Sequence, residues 1–95
     1  MKVIGRGKLL EFSKKYPDSR TPLDSWIKIV EQANWRYLPD IKNNYSKSVD
    51  YVEGYVVFNI KGNDYRLIAR INYRTQVVKI MFILTHSDYD KGNWK

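Results

Sequence analysis

The stretch Tyr55-Val56-Val57-Phe58-Asn59-Ile60-Lys61-Gly62-Asn63-Asp64-Tyr65-Arg66-Leu67-Ile68-Ala69-Arg70-Ile71-Asn72 decides the fold class. Val56, Phe58 and Ile60 alternate with Val57, Asn59 and Lys61, the period of two expected of a strand. Gly62-Asn63 supplies a tight turn. The return run then sets Tyr65, Leu67, Ala69 and Ile71 against Arg66, Ile68, Arg70 and Asn72. A third run over 76–84 alternates Val78, Ile80 and Phe82 with Val77, Lys79, Met81 and Ile83. These runs predict an antiparallel meander with one apolar face. The opposite face collects Asn59, Lys61, Arg66, Arg70, Asn72 and Lys79.

Upstream, the period changes to that of helices. Leu9, Phe12 and Tyr16 recur at three and four, and Pro17 stops the run, so a short amphipathic helix is expected there. Thr21 reads as an N-cap, Pro22 as the first helical residue and Asp24 as the capping-box acid of a second helix. Leu23, Trp26, Ile27 and Val30 share one face of it. Residues 34–50 are polar and read as a long connection anchored by Trp35, Leu38 and Ile41. Within it, Pro39 can open a helical turn through Asp40, Ile41 and Tyr45. The expected architecture is one α+β domain over residues 1–95. Two N-terminal helices pack on an antiparallel sheet of about three to four strands, and a short helical turn follows.

Composition narrows the chemistry. The 95 residues include 17 Lys plus Arg against 10 Asp plus Glu, a net charge of +7 that favours polyanionic partners. Both halves share it: ten basic and five acidic residues fall in 1–47, seven and five in 48–95. With no cysteine, disulfide scaffolds, thiolate nucleophiles and Cys-based zinc sites are excluded. A single histidine, His86, excludes two-His metal motifs and catalysis by paired imidazoles. Neither a cofactor nor a metal is expected. The first residues lack the apolar core of a secretory signal, and no apolar run approaches the ~20 residues of a membrane span. The expected location is the cytoplasm, without a membrane partner.

Arg66 and Arg70 lie four apart on one strand, about 13 Å by strand rise, with Lys61 and Lys79 placed to flank them. Such a grid suits a phosphate backbone, because each contact releases counterions. An ordinary solvated sheet face carries charges too, but it normally mixes signs, and acids are scarce here. After the third strand comes Thr85-His86-Ser87-Asp88-Tyr89-Asp90-Lys91. Thr85 would cap a helical turn with Asp88 as its capping-box acid, bringing His86 and Tyr89 to one side.

Together these residues fit cleavage of RNA through the ribose 2′-hydroxyl. That reaction needs a held phosphate, positive charge on the phosphorane, and groups to move two protons. Imidazole is the side chain whose ordinary proton equilibrium lies near neutrality, which singles out His86. DNA, without the 2′-hydroxyl, would not be cut by this route. Asp88 and Asp90 read as cap and surface residues, not as a metal-binding pair.

The runs 57–67, Ile71-Asn72-Tyr73 and Thr85-His86-Ser87-Asp88-Tyr89-Asp90-Lys91 resemble the HigB family of toxin–antitoxin toxins. Pro22-Leu23, Trp26, Trp35 and Asp40-Ile41-Lys42 are similar as well. The resemblance implies a RelE-like fold and an mRNA endoribonuclease (an mRNA interferase, a hydrolase that inhibits translation). It further implies action on the translating ribosome and neutralisation by a HigA-type antitoxin with a helix-turn-helix domain. It assigns Arg66 to the strand signature, and His86, Tyr89 and Asp90 to the C-terminal signature. On this reading His86, Arg66 and Tyr89 are catalytic. Lys61, Arg70, Lys79, Asn59 and Asn72 bind RNA, and Asp90 and Thr85 support them. Two positions depart from the pattern: Leu84 stands where the family usually has glycine, and Met81 where it tends to have a basic residue. The alternatives are a basic RNA-binding or regulatory module without chemistry, and a RelE-like toxin that acts on a protein target.

Overall fold

The computed structural model describes residues 1–45 and 49–95. The hairpin forms as its alternation requires, with β3 (Tyr55–Ile60) antiparallel to β4 (Tyr65–Asn72). β4 in turn pairs antiparallel with β5 (Val77–Thr85). Two further strands complete a five-stranded mixed sheet. β1 (Lys2–Ile4) runs parallel to β5 on one edge, and β2 (Val49–Val52) runs antiparallel to β3 on the other. The order is β1-β5-β4-β3-β2, so the expected antiparallel sheet of three to four strands is corrected to five with one parallel pair. Both additional strands are short edge strands, too brief for alternation to show.

The helical side consists of α1 (Arg6–Lys15), α2 (Arg20–Gln32) and α3 (Leu38–Tyr45). α1 ends before Pro17 as expected. Pro17–Ser19 form a 3₁₀ turn that runs straight into α2, so the cap position falls on Ser19 and not Thr21. Ser19 does not cap through its side chain; its hydroxyl donates instead to Tyr16 O at 2.7 Å. Pro22 thus lies inside the first turn, where its missing N–H leaves nothing unpaired. α3 fulfils the turn expected at Pro39 and extends it to eight residues. Ser46, Lys47 and Ser48 of the expected connection lie outside the described residues.

The core sits between the helices and the sheet face bearing Val56, Phe58, Ile60, Leu67, Ala69, Val78 and Ile80. Phe58, fully buried, is its hub. It meets Trp26 edge-on at 5.3 Å, stacks on Trp35 at 6.2 Å and takes Tyr45 edge-on at 5.2 Å. Gly5 joins β1 to α1 at φ 98°, and a Cβ there would stand 3.0 Å from Ile80 O. Only glycine satisfies both the left-handed conformation and that approach.

The opposite face differs from the simple basic surface expected. Between Ile68 and Ala69 the β4–β5 register shifts: Ile68 pairs with Phe82, Ala69 with Ile80, and Met81 has no partner. The bulge turns the rest of β5 over. Phe82 was expected in the main core; it and Leu84 instead join Val57, Ile68 and Trp94 in a second apolar cluster. The last helix, α4 (His86–Asp90), and the residues after it cover this cluster. Among the described residues, no helix is long and apolar enough to cross a membrane.

Candidate functional site

The hairpin loop, β4 and α4 converge on Arg66. Asn59 and Arg66 are directly paired across β3 and β4, and Leu84 faces Arg66 from β5. The backbone N–H of His86 donates to Asp64 O at 2.9 Å, tying α4 to the hairpin loop. Thr85 caps α4 as expected, its Oγ1 accepting from Asp88 N–H at 3.1 Å. Asp88 does not return the bond and pairs with Lys91 at 3.6 Å.

Arg66 is 8% exposed, and among the described residues no carboxylate lies within ion-pair reach of it. Its guanidinium donates to Asn63 O (3.0 Å), Tyr65 O (3.2 Å) and Asn63 Oδ1 (3.2 Å), and stands 3.1 Å from His86 Nδ1. Neutral oxygens fix its orientation and leave its charge uncancelled. That is the condition for acting on an anion. Asn59 Nδ2 reaches Asn63 Oδ1 at 3.5 Å, so Asn59 braces the framework around Arg66.

His86 uses both ring nitrogens. Nε2 lies 2.9 Å from Asp90 Oδ2, while Nδ1 faces both Arg66 and Asn63 O, the latter at 2.9 Å. A carboxylate opposite Nε2 calls for a proton on that nitrogen. In the neutral ring Nδ1 accepts from Arg66; in the imidazolium it donates to Asn63 O. Either way Nε2 carries a proton and Asp90 aims it.

Tyr89 presents its ring to Arg66, with the guanidinium carbon 5.5 Å from the ring centroid. Burial first, then Asp50 and Asp90, push its phenol above the ordinary tyrosine range, against the opposing charge of Arg66. It therefore stays protonated and able to donate. Tyr89 stacks on Trp94 at 5.2 Å, Trp94 meets Tyr55 edge-on at 5.7 Å, and Arg70 lies 4.7 Å over Tyr55. An unbroken row thus joins the two arginines: Arg66, Tyr89, Trp94, Tyr55, Arg70. Trp94 Nε1 also donates to Tyr89 O at 3.1 Å.

Of the sequence-predicted residues, Arg66, His86, Tyr89, Asp90, Thr85 and Asn59 come together. Arg70 and Lys79 pair with each other farther along the same face. Asn72 is beside them, its Oδ1 accepting from Thr75 N–H at 3.1 Å. Lys61 is a correction. It sits beyond the end of β3 at φ 51°, where strand alternation no longer applies, and reaches the helical side. There it pairs with Asp18 at 2.7 Å and Asp64 at 3.4 Å, which removes it from the expected RNA-facing set. Asn63, Tyr55 and Trp94, which were not among the expected residues, also stand against this candidate site. A tryptophan in an otherwise polar C-terminal stretch was the available signal for Trp94.

Asp18 also accepts from Tyr65 Oη at 2.6 Å. The hydrogen bond from Lys61, then that from Tyr65, holds its carboxyl below the ordinary range. The bond to Asp18 helps push the Tyr65 phenol up to about 12. A lowered acid stabilises the fold above its unfolded value, and this is lost as pH falls through the folded one. A raised phenol stabilises below its unfolded value, and this is lost as pH rises through about 12. Asp18→Asn is therefore expected to lower the melting temperature between about pH 5 and 9. The gap from wild type should close at both extremes, as thermal melts across pH will read.

Among the described residues, no three His, Asp or Glu side chains converge as a metal site. A family model described as HigB_toxin, RelE-like toxic component of a toxin-antitoxin system, matches residues 19–92. The chain is 25% identical over 92 residues to the mRNA interferase toxin HigB of Escherichia coli (strain K12), covering 95% of this chain and 88% of the relative. The mRNA interferase HigB of Shigella flexneri matches with the same identity and coverage. That of Escherichia coli O6:H1 is 24% identical over 93 residues, covering 96% and 90%. The family match spans Arg66, His86, Tyr89 and Asp90 and stops short of Trp94. This chain belongs to the HigB toxin family, the RelE-like toxic component of toxin–antitoxin systems.

Proposed function

We propose that this chain is an mRNA endoribonuclease that cuts through the ribose 2′-hydroxyl without a metal ion. Its substrate is message on translating ribosomes in the cytoplasm, and a HigA-type helix-turn-helix antitoxin neutralises it. The observation that carries this reading is the pairing of a buried, acid-free Arg66 with the chain's one histidine at 3.1 Å. The relatives' name, mRNA interferase, supports it.

Arg66 neutralises the phosphorane as the 2′-oxygen attacks, and the Tyr89 phenol donates to a phosphate oxygen. His86, as imidazolium, gives its Nδ1 proton, on the side facing Arg66, to the departing 5′-oxygen, while Asp90 keeps hold of the Nε2 proton and orients the ring. The 2′-hydroxyl proton passes to water or a phosphate oxygen. Arg70 and Lys79 hold the strand farther along.

The test adds purified protein to a translating extract and follows full-length message. Wild type is expected to cut it, and His86→Ala to cut roughly a hundredfold more slowly. Translation that stops with the message intact would favour a protein target instead. Message that is bound but never cut would reduce the protein to a binding module.

A further inference from the structure

We propose that the groove around Arg70 and Lys79 is a discrete nucleotide subsite, separate from the cleavage centre, that seats one phosphate and nucleoside of the same RNA strand. The proposal rests on the endoribonuclease reading and deepens it.

Arg70 and Lys79 are direct partners across β4 and β5, and both side chains are exposed. Like charges opposite one another in a ladder destabilise it, and a folded sheet ordinarily sets an acid nearby. Here, among the described residues, neither cation has a carboxylate within ion-pair reach. The arrangement makes sense once an anion lies between them.

The space beside them has the right size and chemistry. A groove of about 400 Å³ is bounded by Gly54, Arg70, Asn72, Thr75, Val77 and Lys79. Its walls combine two cations with an apolar side chain, an amide and a hydroxyl, a set that suits a phosphate with its sugar and base. The Asn72 amide oxygen already accepts from Thr75 N–H, which leaves the amide nitrogen to donate. Tyr55 lies under the Arg70 guanidinium at 4.7 Å and limits its swing. Arg70 is thus positioned before RNA arrives.

Its spacing sets a number. Arg66 and Arg70 are about 13 Å apart by strand rise, and a stacked strand advances ~3.4 Å per nucleotide. The seated phosphate therefore lies no more than about four nucleotides from the one that is cut. The Tyr89–Trp94–Tyr55 row fills the interval between the two arginines.

The test uses ribosome-bound messages in which one linkage at a time, up to four positions either side of the cut, is a neutral methylphosphonate. For wild type, one such linkage away from the cut is expected to slow cleavage about tenfold. Arg70→Gln and Lys79→Gln should each slow the unmodified message by a similar factor and be indifferent to that linkage. Melting temperatures of these variants should be no lower than wild type, since each removes one of two facing like charges. If wild type cuts but no linkage shows this loss of additivity with Arg70→Gln, the subsite is wrong. Failure of wild type to cut any of the messages overturns the endoribonuclease reading, and this proposal with it.

Discussion

Arg66→Ala is expected to lower the rate of message cleavage about a thousandfold, more than any other single change at the site. Loss of one preorganised electrostatic group facing a transition state typically costs 10²–10³ in rate. Arg66 has two further duties. It donates toward His86 Nδ1 and lies over Tyr89, so its removal loosens the alignment of both. Arg66→Lys keeps the charge but not the planar fork that reaches Asn63 O, Asn63 Oδ1 and His86 together. It should fall between Ala and wild type. Single-turnover rates in translating extract, read beside melting curves, provide the check. An Arg66→Ala protein that melts normally and cuts within threefold of wild type would remove Arg66 from catalysis.

The largest loss of stability is expected from Phe58→Ala. The ring is fully buried and touches Trp26, Trp35 and Tyr45, which come from α2, the segment after it and α3. Truncation leaves a cavity that three large, interlocked rings cannot collapse to fill, at a cost of about 3–5 kcal/mol. Domains of this size are stable by only about 5–15 kcal/mol, so the variant should be near its unfolding threshold. Urea titration will show the midpoint falling while the slope is retained. Phe82→Ala serves as the contrast. Its ring is half-buried in the smaller cluster on the other face, and it should lose less than half as much.

The parts of the molecule that were legible are those where one periodicity governs a whole element. The alternation through Val56, Phe58, Ile60 and Leu67, Ala69 identified the core face of the hairpin, and Leu23, Trp26 and Val30 the buried side of α2. Thr85 announced α4, which placed His86 and Tyr89 beside Arg66. What could not be read lies where periodicity breaks. Lys61 escapes its strand's pattern because a left-handed turn residue aims its side chain by local geometry. β1 pairs with a strand some 75 residues away, a contact that no local pattern encodes. Asn63 looked like turn chemistry alone, yet both its carbonyl and its side-chain oxygen orient Arg66.

The unpartnered Met81 has a consequence for how this strand tolerates change. Because it is bulged out of the ladder, Ile80 serves the main core while Phe82 and Leu84 serve the other side. Another side chain at 81 leaves that division intact. Deleting the residue would close the bulge and set Phe82 directly after Ile80, so plain alternation would keep the pairs Ala69–Ile80 and Ile68–Phe82 and both faces as they are. Position 81 is therefore the place where this strand can lose a residue without turning any other side chain over.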